Sequence, residues 1–165
     1  MAGGVRDGHT LKAVIPGGSS MPVLPADVIM ECTMDYDSLS KAGSALGSGA
    51  VMVMDETTCM VKAAMRVSRF SYAESCGQCT PCREGTGWMY RIIKRIEEGQ
   101  GRPEDIDLLL SAAGQIEGKT ICAFGEAAAW PVQGFIRHYR KEFEYHVTHK
   151  RCMAGAGASA AGAAA

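Results

Sequence analysis

Seven cysteines stand in this chain, at Cys32, Cys59, Cys76, Cys79, Cys82, Cys122 and Cys152. Three of them fall at i, i+3 and i+6, in Cys76-Gly77-Gln78-Cys79-Thr80-Pro81-Cys82. An odd count with three thiols inside seven residues is not a secreted disulfide framework. It suits a metal or cluster held in a reducing compartment. A C-x2-C-x2-C run lets one turn of loop aim three thiolates at a common centre. Cys122, forty positions on and just before a predicted helix, is the natural fourth. Four thiolates around an iron–sulfur cube is the most economical reading, one ligand to each corner iron. Gly77 lets the backbone pass close to inorganic sulfide, and Pro81 stiffens the loop. Arg83 and the N-terminus of the next helix add positive charge beside an anionic cluster. Zinc is the rival, although it more often takes two separated C-x2-C pairs. Free or redox-active thiols are the third reading. The ferredoxin run C-x2-C-x2-C-x3-C-P is not matched and no second trio exists, so one cluster is expected.

The remaining candidates read as plain structure. Cys59 lies early in a predicted helix and is expected to be a small apolar residue, as is Cys32 after Val28-Ile29-Met30, a strand-like run. Cys152 borders the tail and is expected to be exposed. His138, His146 and His149 fall near the C-terminal helix, where a solvated face is favoured over a second metal site. Gly17-Gly18-Ser19-Ser20 lacks the G-x4-G-K-[ST] of a phosphate loop, and no G-x-G-x-x-G precedes a helix. The chain shows no nucleotide site of its own.

These residues must be positioned by 165 residues with 17 Lys+Arg against 18 Asp+Glu, a net charge of -1. That balance argues against a nucleic-acid binder, which shows a basic excess. No apolar run reaches the length of a membrane span. Met1 to Ile15 resembles neither a secretory signal nor an Arg-rich presequence. Residues 1–55 are rich in Gly and Pro, with expected strands at Leu11–Ile15 and Ala50–Met54, the second apolar throughout and so expected to be buried on both faces. A short helix is expected at Asp37–Ala42. Residues 56–149 are helical by pattern. A first helix is capped by Thr57 or Thr58 and runs to about Ser71, with Val61, Ala64, Met65 and Ser68 on one face. The cysteine loop follows. A second helix covers Thr86–Glu98, its stripe made of Trp88, Met89, Ile92, Ile93 and Ile96. A third starts at Pro103 with Ile106, Leu109, Leu110, Ala113 and Ile116 inward. A fourth has Pro131 in its first turn and Val132, Phe135, Ile136 and Tyr139 inward. Residues 150–165, an Ala/Gly/Ser run after Met153, are expected to be a disordered tail.

Glu74-Ser75-Cys76-Gly77-Gln78-Cys79-Thr80-Pro81-Cys82-Arg83-Glu84-Gly85 strongly resembles the flavoprotein subunit of respiratory complex I, the 51-kDa-type NADH-oxidising subunit. The likeness continues through Trp88-Met89, Arg102-Pro103, Gln115-Ile116-Glu117-Gly118, Thr120-Ile121-Cys122-Ala123, Ala129-Trp130-Pro131-Val132-Gln133-Gly134 and Ile136-Arg137-His138. Upstream it takes in Ala13-Val14-Ile15-Pro16-Gly17-Gly18-Ser19-Ser20 and Ala50-Val51-Met52-Val53-Met54-Asp55, so that it covers roughly residues 3–147. The resemblance implies an α+β chain: part of a ubiquitin-like (SLBB, β-grasp) domain over 1–55, whose opening strands are missing, then a four-helix iron–sulfur bundle over 56–149. It implies a [4Fe–4S] cluster on Cys76, Cys79, Cys82 and Cys122, taking electrons from FMN that NADH reduces. The family's flavin- and NADH-binding domain is not in this sequence. The resemblance therefore implies a component of NADH:ubiquinone reductase (H+-translocating) that is not a complete enzyme alone. Its implied partners are other complex I subunits, including a chain supplying the FMN/NADH domain and a 24-kDa-type iron–sulfur subunit. Neither nucleic acid nor direct membrane insertion is implied. The implied place is the peripheral arm on the matrix side of the mitochondrial inner membrane, or the bacterial cytoplasm. The same cysteine pattern serves the diaphorase module of an NAD-linked hydrogenase or formate dehydrogenase. A structural or assembly fragment with zinc or no metal is the reading from a different class.

Overall fold

β-Branched and aliphatic residues in Leu11-Lys12-Ala13-Val14-Ile15 form β1 (Leu11–Ile15), the central strand of a three-stranded antiparallel sheet in the computed structural model, which describes residues 4–154. β2 (Leu24–Pro25) pairs on one side, with Val14 opposite Leu24, and β3 (Met52–Asp55) on the other, with Val14 opposite Val53. The β1–β3 register slips between Leu11 and Ala13, a bulge that re-aims Lys12. Its carbonyl accepts from the Tyr139 hydroxyl at 3.0 Å, and burial pushes that phenol up to about 12, so it stays a donor. The Lys12 ammonium reaches the Thr58 carbonyl at 2.7 Å and the Glu142 carboxylate at 2.6 Å.

Two expectations for this region are corrected. The apolar run at Ala50–Met54 is not buried on both faces: Val51, Met52 and Val53 are exposed, because β3 contacts only β1 among the elements and no helix covers it. Val28-Ile29-Met30 is not strand-like but lies in a helical turn, α1 (Ala26–Met30), which starts directly after Pro25. The short helix expected at Asp37–Ala42 is present as α2 (Tyr36–Lys41), capped by the Asp35 carboxylate accepting from the Ser38 N–H at 2.7 Å.

Four longer helices follow: α3 (Met60–Glu74), α4 (Thr80–Glu97), α5 (Asp105–Ile116) and α6 (Phe124–His149). α3 packs on α4 and α6, and α5 packs on the same two. The fold is thus α+β, with three strands, six α-helices and a 3-10 turn at Arg6–Gly8 among the described residues. One apolar core runs from Ala13, Ile15 and Val23 of the sheet region through Val61, Met89, Ile93, Leu109, Phe135 and Phe143. No helix is long and apolar enough to cross a membrane.

Three of the four long helices depart from expectation. α3 is capped by Cys59, whose sulfur accepts from the Lys62 N–H at 3.4 Å, while Thr57 and Thr58 bond back to Asp55. α4 starts six residues early, with Pro81 in its first turn. Trp88 is exposed rather than part of the stripe, and Met89, Ile92, Ile93 and Ile96 form the buried face. α6 also starts early, so Pro131 lies inside it rather than in its first turn, and the helix breaks again at Tyr139 (φ -126°, ψ 24°). Of the expected tail, Lys150 takes a left-handed turn that closes α6, its N–H donating to the His146 carbonyl at 2.9 Å. Cys152 is half-buried rather than exposed. Residues 155–165 lie outside the described residues.

At the start of α5, Asp105 is fully buried and receives Arg95 Nε at 3.0 Å and the Arg102 N–H at 2.9 Å. Burial pushes its carboxyl up, but the Arg95 and Arg102 bonds and charges more than offset that, leaving it below the usual carboxylate range. A depressed folded-state pKa contributes stability above the unfolded value of about 3.9, lost as pH falls through the lower folded value. Asp105→Asn is therefore expected to cost about 2 kcal/mol near neutral pH and to flatten the acid limb of the stability–pH curve, read from urea midpoints across pH.

Candidate functional site

The three clustered cysteines straddle the end of α3 and the beginning of α4. Cys76 lies exposed in the intervening loop, Cys79 is the N-cap of α4, and Cys82 is buried in its first turn. The expectation that all three occupy a loop is corrected for Cys82. Gly85, which read as the end of the loop, lies instead inside α4 and serves close packing: a Cβ on it would lie 2.7 Å from Ile116 Cδ1. Gly77 sits at φ +78°, which turns the chain between Cys76 and Cys79.

The loop is held by its own neighbours. Arg83 donates to the Gly77 carbonyl at 3.0 Å and to Glu84 at 3.0 Å. Ser75 Oγ lies 3.2 Å from Cys82 Sγ and accepts from the Gly77 N–H at 3.4 Å. Sequence reasoning singled out Arg83 but missed Ser75, whose position just before the first cysteine was the available signal.

The fourth cysteine arrives on the 117–123 connector. The Ile121 N–H donates to Cys79 Sγ at 3.4 Å, so the residue beside Cys122 already touches the trio. Cys122 itself is exposed. Glu117 anchors the connector, accepting from Trp130 Nε1 at 2.6 Å and Gln133 Nε2 at 2.8 Å. The Gln133 and Trp130 bonds hold its carboxyl below the usual range. Gly118 N–H donates to Glu126 at 2.9 Å, and Thr120 Oγ1 to the Cys122 carbonyl at 2.8 Å.

Two helix N-termini meet here, those of α4 and α6, each with N–H groups that the helix itself cannot satisfy. Their dipoles favour an anionic group at this end. All four thiols are free of disulfides, and no three of them converge within 4.8 Å. Tetrahedral zinc draws thiolates to within about 3.8 Å of each other, since Zn–S is about 2.3 Å. Thiolates are donors that zinc and iron–sulfur centres both take.

A Cβ on Gly125 would meet Thr120 Oγ1 at 2.2 Å and Thr120 Cβ at 3.1 Å. Gly125→Ala must therefore shift the Thr120–Cys122 turn. It is expected to lower iron retention after desalting several-fold, with helix content by circular dichroism unchanged.

The other candidates sit elsewhere. Cys59, expected to be a small apolar residue, packs against the apolar core and is also a helix cap beside Glu97 and His146. His146 is fully buried, not on a solvated face, while His149 is exposed. These lie at the far ends of α3, α4 and α6, about 22 Å from the cysteine trio by the length of α3.

Residues 62–146 match the model of the NADH-ubiquinone oxidoreductase-F iron–sulfur binding region. Over 147 residues, 88% of the chain, it is 54% identical to the F subunit of the NADH-quinone oxidoreductase of Rickettsia bellii. It is 52% identical over 150 residues to the same component of the Rhodobacter capsulatus enzyme. It spans about a third of the length of these relatives, 35% in each case. Among solved structures, an NAD+-reducing [NiFe]-hydrogenase in the H2-reduced state superposes with a TM-score of 0.70 at 29% identity, covering 84% of this chain and 24% of that one.

Proposed function

This chain belongs to the NADH-ubiquinone oxidoreductase-F iron–sulfur binding region family, and from that premise we propose that it holds one [4Fe–4S] cluster on Cys76, Cys79, Cys82 and Cys122 and relays electrons in NADH-quinone oxidoreductase. The observation that carries this reading is the Ile121 N–H on Cys79 Sγ, which ties the connector bearing Cys122 to the cysteine trio. When bound, the cluster supplies one-electron chemistry. The chain supplies the rest. Four thiolates ligate, the N-termini of α4 and α6 lend positive potential, and Arg83 clasps the Gly77 carbonyl so that the loop keeps its shape. Exposure of Cys76 and Cys122 leaves one edge of the site open to a partner.

Residues 1–55 are part of a β-grasp (SLBB) domain in this reading, and 56–149 form the four-helix iron–sulfur bundle. FMN and NADH bind on a partner domain or chain, and a 24-kDa-type subunit is the neighbouring iron–sulfur protein. The working place is the peripheral arm of complex I. The relatives quoted are bacterial, which supports its cytoplasmic side in bacteria over the mitochondrial matrix. The higher identity to quinone oxidoreductase subunits, 54% against 29%, favours complex I over a hydrogenase diaphorase.

Anaerobic reconstitution tests the reading, with iron and sulfide counts and an EPR spectrum after dithionite. About four irons and four sulfides per chain with a reduced-state signal are expected. A reconstituted chain without sulfide, or with zinc alone, overturns it.

A further inference from the structure

A second set of metal-type donors gathers at the opposite end of the helices, and it owes nothing to the cluster reading. We infer that Cys59, His146 and Cys152 bind a zinc ion, with Glu97 beside them as the fourth donor. The ligand atoms of the first three all lie within 4.8 Å of one another. The four side chains come from four separate segments: the cap of α3, the last turn of α4, the last turn of α6, and the chain beyond it.

The spacing decides the kind of metal. Tetrahedral zinc, with Zn–S about 2.3 Å and Zn–N or Zn–O about 2.0–2.2 Å, sets neighbouring donors about 3.3–3.8 Å apart. Cys59 Sγ lies 3.5 Å from His146 Nε2 and 3.6 Å from Glu97 Oε2, and His146 Nε2 lies 3.2 Å from Glu97 Oε2. Three edges of the polyhedron thus have nearly the required length. The imidazole is also oriented for ligation. Its Nδ1 faces the Glu142 carbonyl at 2.9 Å and donates there, which turns Nε2 toward the group, where a zinc ion would take the place of the proton that Glu97 otherwise attracts. His146 is fully buried, while Cys59, Cys152 and Glu97 are half-buried, so an ion could enter from the surface.

Cys152 is delivered by a built turn. Lys150 adopts φ 57° at the end of α6, and its ammonium is fixed on the Gly101 carbonyl at 2.6 Å. The chain thereby reverses onto the α3–α4 end. Four protein donors leave no open coordination position, so the site is structural: it clasps three helix ends and the segment after α6.

The test uses the whole chain with its cluster reconstituted, given one equivalent of zinc chloride, then desalted and analysed for zinc, iron and sulfide. About one zinc per chain is expected in addition to the cluster iron, with a rise in the unfolding temperature. Cobalt(II) in place of zinc should show thiolate-to-metal charge-transfer bands. Cys152→Ser lies outside the helices and should fold. It should lose that equivalent and the temperature rise while iron and sulfide stay unchanged. The same pair of measurements in a Cys79→Ser background separates failure here from failure of the cluster reading. Zinc uptake equal with and without Cys152, or a Cys59–Cys152 disulfide in protein prepared with zinc, overturns the inference.

Discussion

Cys79→Ser is expected to strip the chain of its cluster, with iron, sulfide and visible absorbance retained after desalting falling more than tenfold. Among the four proposed ligands, Cys79 carries the most structure. It caps α4, and its sulfur accepts the Ile121 N–H from the connector that brings Cys122. Serine offers a shorter, harder oxygen donor, which thiolate-ligated iron disfavours and which retreats from the Ile121 amide. The helix start itself should survive, because serine is a good N-cap. Circular dichroism should therefore match the parent while the metal count collapses. Cys59→Ser supplies the control: it sits at the far end of α3 and should leave iron and sulfide unchanged. Full cluster absorbance in Cys79→Ser would remove Cys79 from the ligand set.

The cysteine trio was legible because its spacing is local: three thiols within seven residues constrain each other whatever the fold does around them. α5 was legible for a similar reason, since Ile106, Leu109, Ala113 and Ile116 repeat at helical spacing between Pro103 and Gly118. What failed were inferences that turned on how distant neighbours pack. Gly85 read as the end of the cysteine loop, yet it lies inside α4, where a Cβ would meet the Ile116 side chain at 2.7 Å. Trp88 fits the α4 stripe by period, but the packed face is centred on Met89, Ile92, Ile93 and Ile96, leaving it at the rim. The run at Ala50–Met54 looked doubly buried because an apolar sequence cannot say that no helix will cover its strand. Cys59 and His146 stand 87 positions apart and share no local pattern, so only the packing of α3 against α6 brings them to 3.5 Å. Complex I itself came from the resemblance of whole motifs, which no single spacing supplies.

Glu142→Ala is expected to be the most destabilising single change outside the apolar core. The carboxylate is nearly buried at 7% exposure. One oxygen meets the Lys12 ammonium at 2.6 Å, and the other accepts the Met60 N–H at 3.1 Å. One side chain of α6 thus ties down the bulge of β1 and the first turn of α3, joining the sheet to the helices. Truncation leaves a largely buried ammonium without its counter-charge and an amide without an acceptor. Loss of one partner of such a pair costs about 3–5 kcal/mol, a drop in unfolding temperature on the order of 10 °C for a chain of this size. Glu142→Gln keeps a carbonyl oxygen for one of the two donors and should cost about 1–2 kcal/mol. Pairing Glu142→Ala with Lys12→Met removes the stranded charge, so the double variant should recover much of the loss. A cycle of urea denaturations on the two single variants and the double one measures that recovery. Additive losses would show that Lys12 finds enough solvent to stand alone, and that the Met60 amide accounts for the whole effect.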